Sequence, residues 1–318
     1  MSQVPEYSRN LPSRQVIFIE TNPVRRLDCP ARPHRRGKKE AEIQLVENGK
    51  FGDYRLLERI AQGGLATIWL VTDPDGHSLA LRVMHDSFGS GSNGPALFRH
   101  GCEIMAKLAP HRNVIAFHDS GKISGREYAV LQYVEGLNLR EMNLREDPML
   151  EEILSDMIID LCAALVHLHG QGIMHLDLKP ENLIISRGGT LYLCDFDTAQ
   201  VIPDSPMKFE RKSGTPLYMA PEVVNGWRFD QRADVYSFGV TVYEMLTQVK
   251  PFEGQTTKEK LTNQLNPKYL IRKPRKFNPN IPLLLEELIL KCIEYVPEKR
   301  YLTMGMMARD LHRVMGVR

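Results

Sequence analysis

Cysteine is scarce and unpatterned in this chain. The five residues, Cys29, Cys102, Cys162, Cys194 and Cys292, are odd in number and never form a C-x-x-C pair, which excludes a disulfide-dense scaffold and fits a reduced, intracellular setting. No stretch reaches about 18 consecutive apolar residues, the length a membrane helix needs. Met1 to Asn10 also lacks the basic start and apolar centre of a signal peptide, so the sequence reads as a cytoplasmic protein without a membrane span. Charge of neither sign is in excess: 41 Lys and Arg stand against 39 Asp and Glu, which gives no global reason to expect nucleic acid or a membrane surface as partner. The ten histidines show no metal-ligand spacing, and no internal repeat or low-complexity tract appears.

What is present is an ordinary globular composition, 42% hydrophobic and 25% charged over 318 residues, enough for one large domain or two modest ones. The charge is unevenly placed. Residues 1–40 hold nine basic and four acidic residues, and residues 1–50 are rich in Pro and Arg, with one short apolar run, Val16-Ile17-Phe18-Ile19. This segment reads as a basic, solvated and disordered tail, and its cluster Arg35-Arg36-Gly37-Lys38-Lys39 is assigned no specific partner.

From Phe51 the texture changes. Branched and aromatic residues cluster in Tyr54–Ile60, Thr67–Thr72, Ser78–Met84 and Glu127–Tyr133, and turn signals such as Asp73-Pro74-Asp75-Gly76 separate the early ones. An antiparallel arrangement of strands is implied. One helical pattern interrupts it at Pro95–Leu108, where Leu97, Phe98, Ile104, Met105 and Leu108 fall on one face. After the hinge-like Tyr133-Val134-Glu135-Gly136 the spacing turns helical in Leu150–His169, Ala233–Leu246 and Leu283–Tyr295. The reading is a small β-rich lobe over residues 51–134 and a larger α-rich lobe over residues 135–318.

The strongest chemical signal is His175-Leu176-Asp177-Leu178-Lys179-Pro180-Glu181-Asn182, followed by Asp195-Phe196-Asp197 and by Gly214-Thr215-Pro216-Leu217-Tyr218-Met219-Ala220-Pro221-Glu222. Phosphoryl transfer needs a base to orient and accept the proton of an attacking hydroxyl, and oxygen ligands for Mg2+ bridging the nucleotide phosphates. Asp177, Asn182 and Asp195 have that chemistry. In these strings the sequence resembles the protein kinase family, with its H-R-D-L-x-x-x-N, D-F-G and A-P-E signatures. The resemblance spans about residues 53–315 and implies an α+β, bilobal protein kinase fold: a small antiparallel β-rich lobe with one helix and a larger, mostly helical lobe.

By that resemblance Asp177 is the catalytic base, Lys179 steadies the transferring phosphoryl group, and Asn182 and Asp195 hold the metal ions. Ile60-Ala61-Gln62-Gly63-Gly64-Leu65-Ala66-Thr67-Ile68 occupies the place of the glycine-rich loop over the phosphates, with Gly63 and Gly64 still permitting close backbone approach. Adenine is expected against the backbone of Gln132–Val134, with Leu131 at the back of the pocket. Glu222 and Arg300 match a buried structural ion pair, and Asp234 a helix residue that anchors the catalytic loop. Thr215 together with Lys179 resembles the serine/threonine branch, and the wording Leu81-Arg82-Val83-Met84 is similar to bacterial members. Ser205 and Ser213 are candidate phosphosites. His167 and His169 read as helix-surface or packing residues, and Cys194 as a small core residue.

Several positions depart from the family pattern. The glycine-rich loop has alanine at Ala61 and Ala66, and the strand lysine of V-A-I-K is Arg82, whose planar fork is not interchangeable with an ammonium. The pattern F-x-x-E-x-x-I-L-x-x-L, laid on Phe98, Ile104, Met105 and Leu108, places Gly101 where the partner glutamate belongs. Glu103 lies about 200° away around the helix, so the lysine–glutamate ion pair reads as absent at both ends. A mid-helix glycine also costs roughly 0.5–1 kcal/mol relative to alanine. Leu176 replaces the arginine before the catalytic Asp, and Asp197 replaces the glycine of D-F-G, either restricting the backbone there or adding a carboxylate near the metals. The expected function is a serine/threonine protein kinase of reduced activity, using ATP and Mg2+ (or Mn2+) on an unknown protein substrate. The rival expectation is a pseudokinase, a signalling or scaffold module.

Overall fold

The computed structural model describes residues 45–85, 93–208 and 216–316. The basic cluster at 35–39 and Ser213, Gly214 and Thr215 lie outside the described residues.

The small lobe is built on strands β1 (Lys50–Phe51), β2 (Tyr54–Gln62), β3 (Ala66–Thr72) and β4 (Ser78–Met84), helix α1 (Gly94–Lys107), and strands β5 (Phe117–Ile123) and β6 (Arg126–Gln132). They form one antiparallel sheet in the order β1-β2-β3-β4-β6-β5. The lobe begins before the boundary read from sequence: Lys50 pairs with Arg55, and Leu45 packs against the small-lobe core. Strand β5 escaped the sequence reading because it is an edge strand whose sequence FHDSGKI is mostly exposed and carries no apolar alternation.

The period of two along β4 decides which residue meets which core. Leu79, Leu81 and Val83 join Phe51, Leu56, Trp69, Val71 and Val130 on one face of the sheet. The intervening residues face the other way, where Ala66, Ala129 and Met84 pack with Phe98 and Cys102 of α1. Arg82 lies on this second face, so the alternation that buries three aliphatic neighbours aims its guanidinium under the sheet toward α1. Helix α1 starts with a proline in its first turn and turns Phe98, Gly101, Cys102, Ile104 and Met105 inward. Glu103 is exposed, on the side away from the sheet, as the helical spacing predicts.

The large lobe contains β7 (Gly136–Asn138), α2 (Leu139–Leu144), α3 (Met149–Gly170), β8 (Ile173–Met174), β9 (Leu183–Ser186), β10 (Leu191–Leu193), β11 (Gln200–Val201), α4 (Pro221–Val224), α5 (Arg232–Thr247), α6 (Thr257–Gln264), α7 (Leu283–Cys292) and α8 (Met304–Met315). Among the described residues no helix is long and apolar enough to cross a membrane. Helix α5 is buried on all sides from Ala233 to Leu246, the pattern of a central helix with no solvent face. It carries Asp234 at its buried start, which fixes the catalytic loop from below.

The second anchor is Arg300. Its NH1 and NH2 groups donate to Glu222 Oε1 at 2.6 Å and Oε2 at 2.8 Å. The remaining N–H groups reach the carbonyls of Glu294, Arg232 and Tyr295 at 2.7, 3.1 and 3.0 Å, and the guanidinium lies 4.8 Å from the Tyr236 ring centre. All five donors of a buried arginine are thus matched. Removing one member of such a pair leaves an uncompensated charge, which typically costs about 3–5 kcal/mol. Glu222→Ala is therefore expected to lower the unfolding free energy by about 3–5 kcal/mol in a denaturant titration; a loss below about 1 kcal/mol would show that the pair is not a structural anchor.

Candidate active site

The catalytic loop is held by one carboxylate. Asp234 accepts hydrogen bonds from the backbone N–H of His175 at 2.8 Å, from that of Leu176 at 2.9 Å and from His169 Nε2 at 2.9 Å. Burial raises its carboxyl, but the His169 bond, the nearby histidines and the Leu176 amide outweigh burial and hold it below the usual carboxylate range. Leu176 sits at φ +64°, a left-handed conformation that costs a branched residue energy unless its surroundings impose it. Its amide bond to Asp234 supplies that imposition. His169, read from sequence as a surface or packing residue, is half-buried and belongs to this anchor.

His175 carries the constraint onward. Its Nδ1 accepts from the Asp177 amide at 3.4 Å, and its Nε2 then donates to the Cys194 carbonyl at 3.1 Å. The ring lies edge-on to Phe196, with centres 5.1 Å apart. Asp177 is thereby presented at the end of a tethered loop. Its Oδ2 accepts from Lys179 Nζ at 2.6 Å and from Asn182 Nδ2 at 3.0 Å, and its backbone carbonyl from the same Asn182 nitrogen at 2.8 Å. The three sequence-predicted residues Asp177, Lys179 and Asn182 are therefore in direct contact. Asn182 is linked through its carbonyl to the amide of Cys194 at 3.0 Å, which ties this loop to the segment that carries Asp195.

Asp195 sits at φ +66° with one carboxylate oxygen, Oδ1, buried and accepting no hydrogen bond. The other side of the carboxylate is open, since the side chain as a whole is 39% exposed. An orphaned carboxylate oxygen next to an open one suits a hard cation, which takes oxygen ligands. Asn182 directs its amide nitrogen to Asp177 and keeps its amide oxygen as a second such ligand. Cys194, between them in sequence, is partly buried and packs against the large-lobe core: burial pushes its thiol up to about 12, and it donates weakly to the Asn182 carbonyl at 3.3 Å.

The glycine-rich segment spans the end of β2 (Ile60, Ala61, Gln62), a turn (Gly63, Gly64, Leu65) and the start of β3 (Ala66, Thr67, Ile68). Ala61 pairs with Ile68 and Gln62 with Thr67 across the hairpin, which Gly63 N–H closes on the Ala66 carbonyl at 2.9 Å. Neither glycine has a positive φ. A Cβ on Gly63 would meet the Ala66 carbonyl oxygen at 3.6 Å, and one on Gly64 would meet nothing within 4 Å. The fold therefore does not require glycine at either position, and what their bareness provides is close backbone access. At the other end of the cleft, Gln132 binds back to Ala116 through both its amide and its side chain, at 2.8 and 3.2 Å. Val134 and Leu131 are half-buried, packed against the large-lobe core.

No lysine–glutamate pair can form with Arg82 and Gly101 at these positions, but Arg82 is not left without a carboxylate. Its NH1 donates to Asp197 Oδ1 at 2.7 Å and its NH2 to Asp197 Oδ2, a bidentate pair, with the guanidinium 4.9 Å from the ring centre of Phe98. The two side chains are 15% and 9% exposed, and Asp195 Oδ1 lies 3.8 Å from NH2. Burial works against the charge of Arg82, but the Asp197 bonds and the charges of both aspartates raise its pKa above its ordinary value. Burial likewise pushes the Asp197 carboxyl up, opposed by the bonds and charge of Arg82. The Asp197 carboxylate is thus engaged by Arg82, a use that neither expectation for this position included. The sequence signal for it was the coincidence of three departures, at Arg82, Gly101 and Asp197.

A description of the protein kinase domain matches residues 54–311. The chain is similar to the serine/threonine-protein kinase PknB of Mycobacterium tuberculosis (31% identical over 269 residues, 82% of this chain and 42% of that protein). It also resembles PrkC of Bacillus subtilis (26% identical, 84% and 41%) and a probable PknB of Lactococcus lactis (26% identical, 84% and 43%). The chain spans less than half the length of these curated relatives. With the bilobal fold, the tethered Asp177 and the match over most of its length, the chain belongs to the protein kinase family.

Proposed function

We propose that this protein is a serine/threonine protein kinase of reduced activity that transfers the γ-phosphoryl group of ATP to a hydroxyl of a protein substrate. The observation that carries the reading is the contact of Asp177 with Lys179 and Asn182 on a loop tethered to the buried Asp234. In the reaction Asp177 orients the attacking hydroxyl and accepts its proton as the new O–P bond forms and the bond to the β-phosphate oxygen breaks. Lys179 moves from Asp177 toward the transferring group and offsets its charge. Asn182 and Asp195 would hold Mg2+ or Mn2+, which when bound would neutralise phosphate charge. The Gly63 N–H is engaged with the Ala66 carbonyl, so what the bare turn at Gly63 and Gly64 offers the phosphates is close backbone approach, and Gln132 to Val134 takes the adenine edge. Arg82 stands in for the strand lysine. A cytoplasmic location belongs to the same reading and rests on the free, scattered cysteines.

The rival reading, a binding module without turnover, drew on five departures, at Ala61, Ala66, Arg82, Gly101 and Asp197. Three of these meet in one contact, so they weigh as a single change. Two measurements test the proposal. Phosphotransfer from labelled ATP to a generic basic protein is expected to fall by about 10²–10⁴ in Asp177→Asn; an unchanged rate would remove Asp177 from the mechanism. Melting temperature is expected to rise with ATP only when Mg2+ or Mn2+ is present, by about 2.7 kcal/mol of stabilisation at a hundredfold excess over Kd, and Asp195→Asn is expected to abolish the metal-dependent part. No shift at millimolar ATP would contradict nucleotide binding in the cleft.

A further inference from the structure

We propose that Asp197 is the positioning residue for Arg82, carrying out from the metal-binding segment the duty that a glutamate on α1 would otherwise perform, and that Gly101 is the vacancy that admits it. The inference rests on the kinase reading and says how its cleft is held. The first support is steric. A Cβ at Gly101 would come 2.7 Å from Asp197 Oδ1 and 3.1 Å from both its Cα and its amide nitrogen, well inside ordinary contact. A side chain on α1 at this position would therefore displace the Asp197 carboxylate from its seat on Arg82 and press on the backbone at 197. Gly101 has no positive φ, so backbone conformation does not account for its glycine; the space does.

The second support is the choice of arginine. An ammonium reaching this carboxylate is a point charge, whereas the guanidinium fork engages both oxygens at once. The bonds run from NH1 to Oδ1 and from NH2 to Oδ2, which leaves Nε–H and one hydrogen on each terminal nitrogen free of Asp197. Arg82 can thus be held by its partner and still present donors to a phosphate. Phe98, one turn before Gly101, supports the guanidinium with its ring face. The three departures are then one coordinated exchange: lysine to arginine, glutamate to glycine, glycine to aspartate.

The exchange moves the charge partner from a helix to the segment two residues beyond Asp195. The polar side chains of α1 take no part in it: Arg99 pairs with Glu127, His100 Nε2 bonds the Ala199 carbonyl at 2.8 Å, and Glu103 and Lys107 are exposed. Arg82 and the metal-binding aspartate are consequently positioned by one segment.

A double-mutant cycle on the full-length chain tests this, with Mg2+–ADP as the probe in a calorimetric titration and the melting temperature of each variant as a second readout. Asp197→Asn keeps the size of the side chain and is expected to weaken Mg2+–ADP binding by about tenfold well below its melting temperature; a purely structural role would lower the melting temperature and leave the affinity alone. Gly101→Glu alone is expected to lower both, since it collides with Asp197. Asp197→Gly alone is expected to weaken binding at least as much as Asp197→Asn, and the double variant Gly101→Glu/Asp197→Gly, which returns the carboxylate to α1, is expected to recover affinity to within about threefold of wild type. Arg82→Lys is expected to weaken binding rather than improve it. Wild-type affinity in Asp197→Asn, a gain in Arg82→Lys, or a double variant as impaired as the product of its singles would overturn the proposal. Should wild type bind no nucleotide, the kinase reading fails; the 101–197 coupling in melting temperature then decides this inference separately, with additive losses overturning it.

Discussion

A guanidinium set beneath a β-sheet must be matched, because leaving such a charge unpaired costs about 3–5 kcal/mol, a large share of a domain's stability. The period of strand β4 puts Arg82 there regardless of chemistry, since Leu79, Leu81 and Val83 fill the other face. Its match is Asp197, 115 residues further along the chain. From that requirement follow the glycine in the middle of α1, the aspartate two residues after Asp195, and the ring of Phe98 beneath the fork. The small lobe, its helix and the segment that carries Asp195 are joined at this point by electrostatics and by the absence of one side chain.

The large lobe depends on a different device, the satisfaction of buried polar groups by design of their neighbours. Asp234 at the start of α5 takes two backbone amides and one imidazole, and so fixes the left-handed turn at Leu176 and presents Asp177. Arg300 joins Glu222 to three carbonyls. These anchors carry no chemistry of their own. They make the geometry of Asp177, Lys179 and Asn182 a property of the fold rather than of mobile side chains, which is what a preorganised site requires.

The sequence made much of this legible. The strand Ser78–Met84 was read at its observed bounds, and the helix at 95–108 within one residue of α1, because alternation and helical spacing are strong where one face is buried. The edge strand β5 was not, since an exposed strand has no buried face to leave a trace. The cluster Asp177, Lys179 and Asn182 was legible because all three lie in one short loop. The partner of Arg82 was not: no spacing rule links residues 82, 101 and 197, and each departure taken alone reads as a loss. His169 was missed for a similar reason, as its role depends on Asp234, which tertiary packing brings to it. The two glycines of the hairpin turn were noticed, but that the fold leaves room for side chains at both is visible only in three dimensions.

The claim that the cleft is held by a relocated ion pair is tested most directly by a crystal structure of the full chain with ADP and Mg2+. The account requires both terminal nitrogens of Arg82 on the Asp197 carboxylate, with a remaining N–H of Arg82 directed at a phosphate oxygen. Arg82 turned away from Asp197 when nucleotide is bound, with Asp197 taken up as a metal ligand instead, would contradict it.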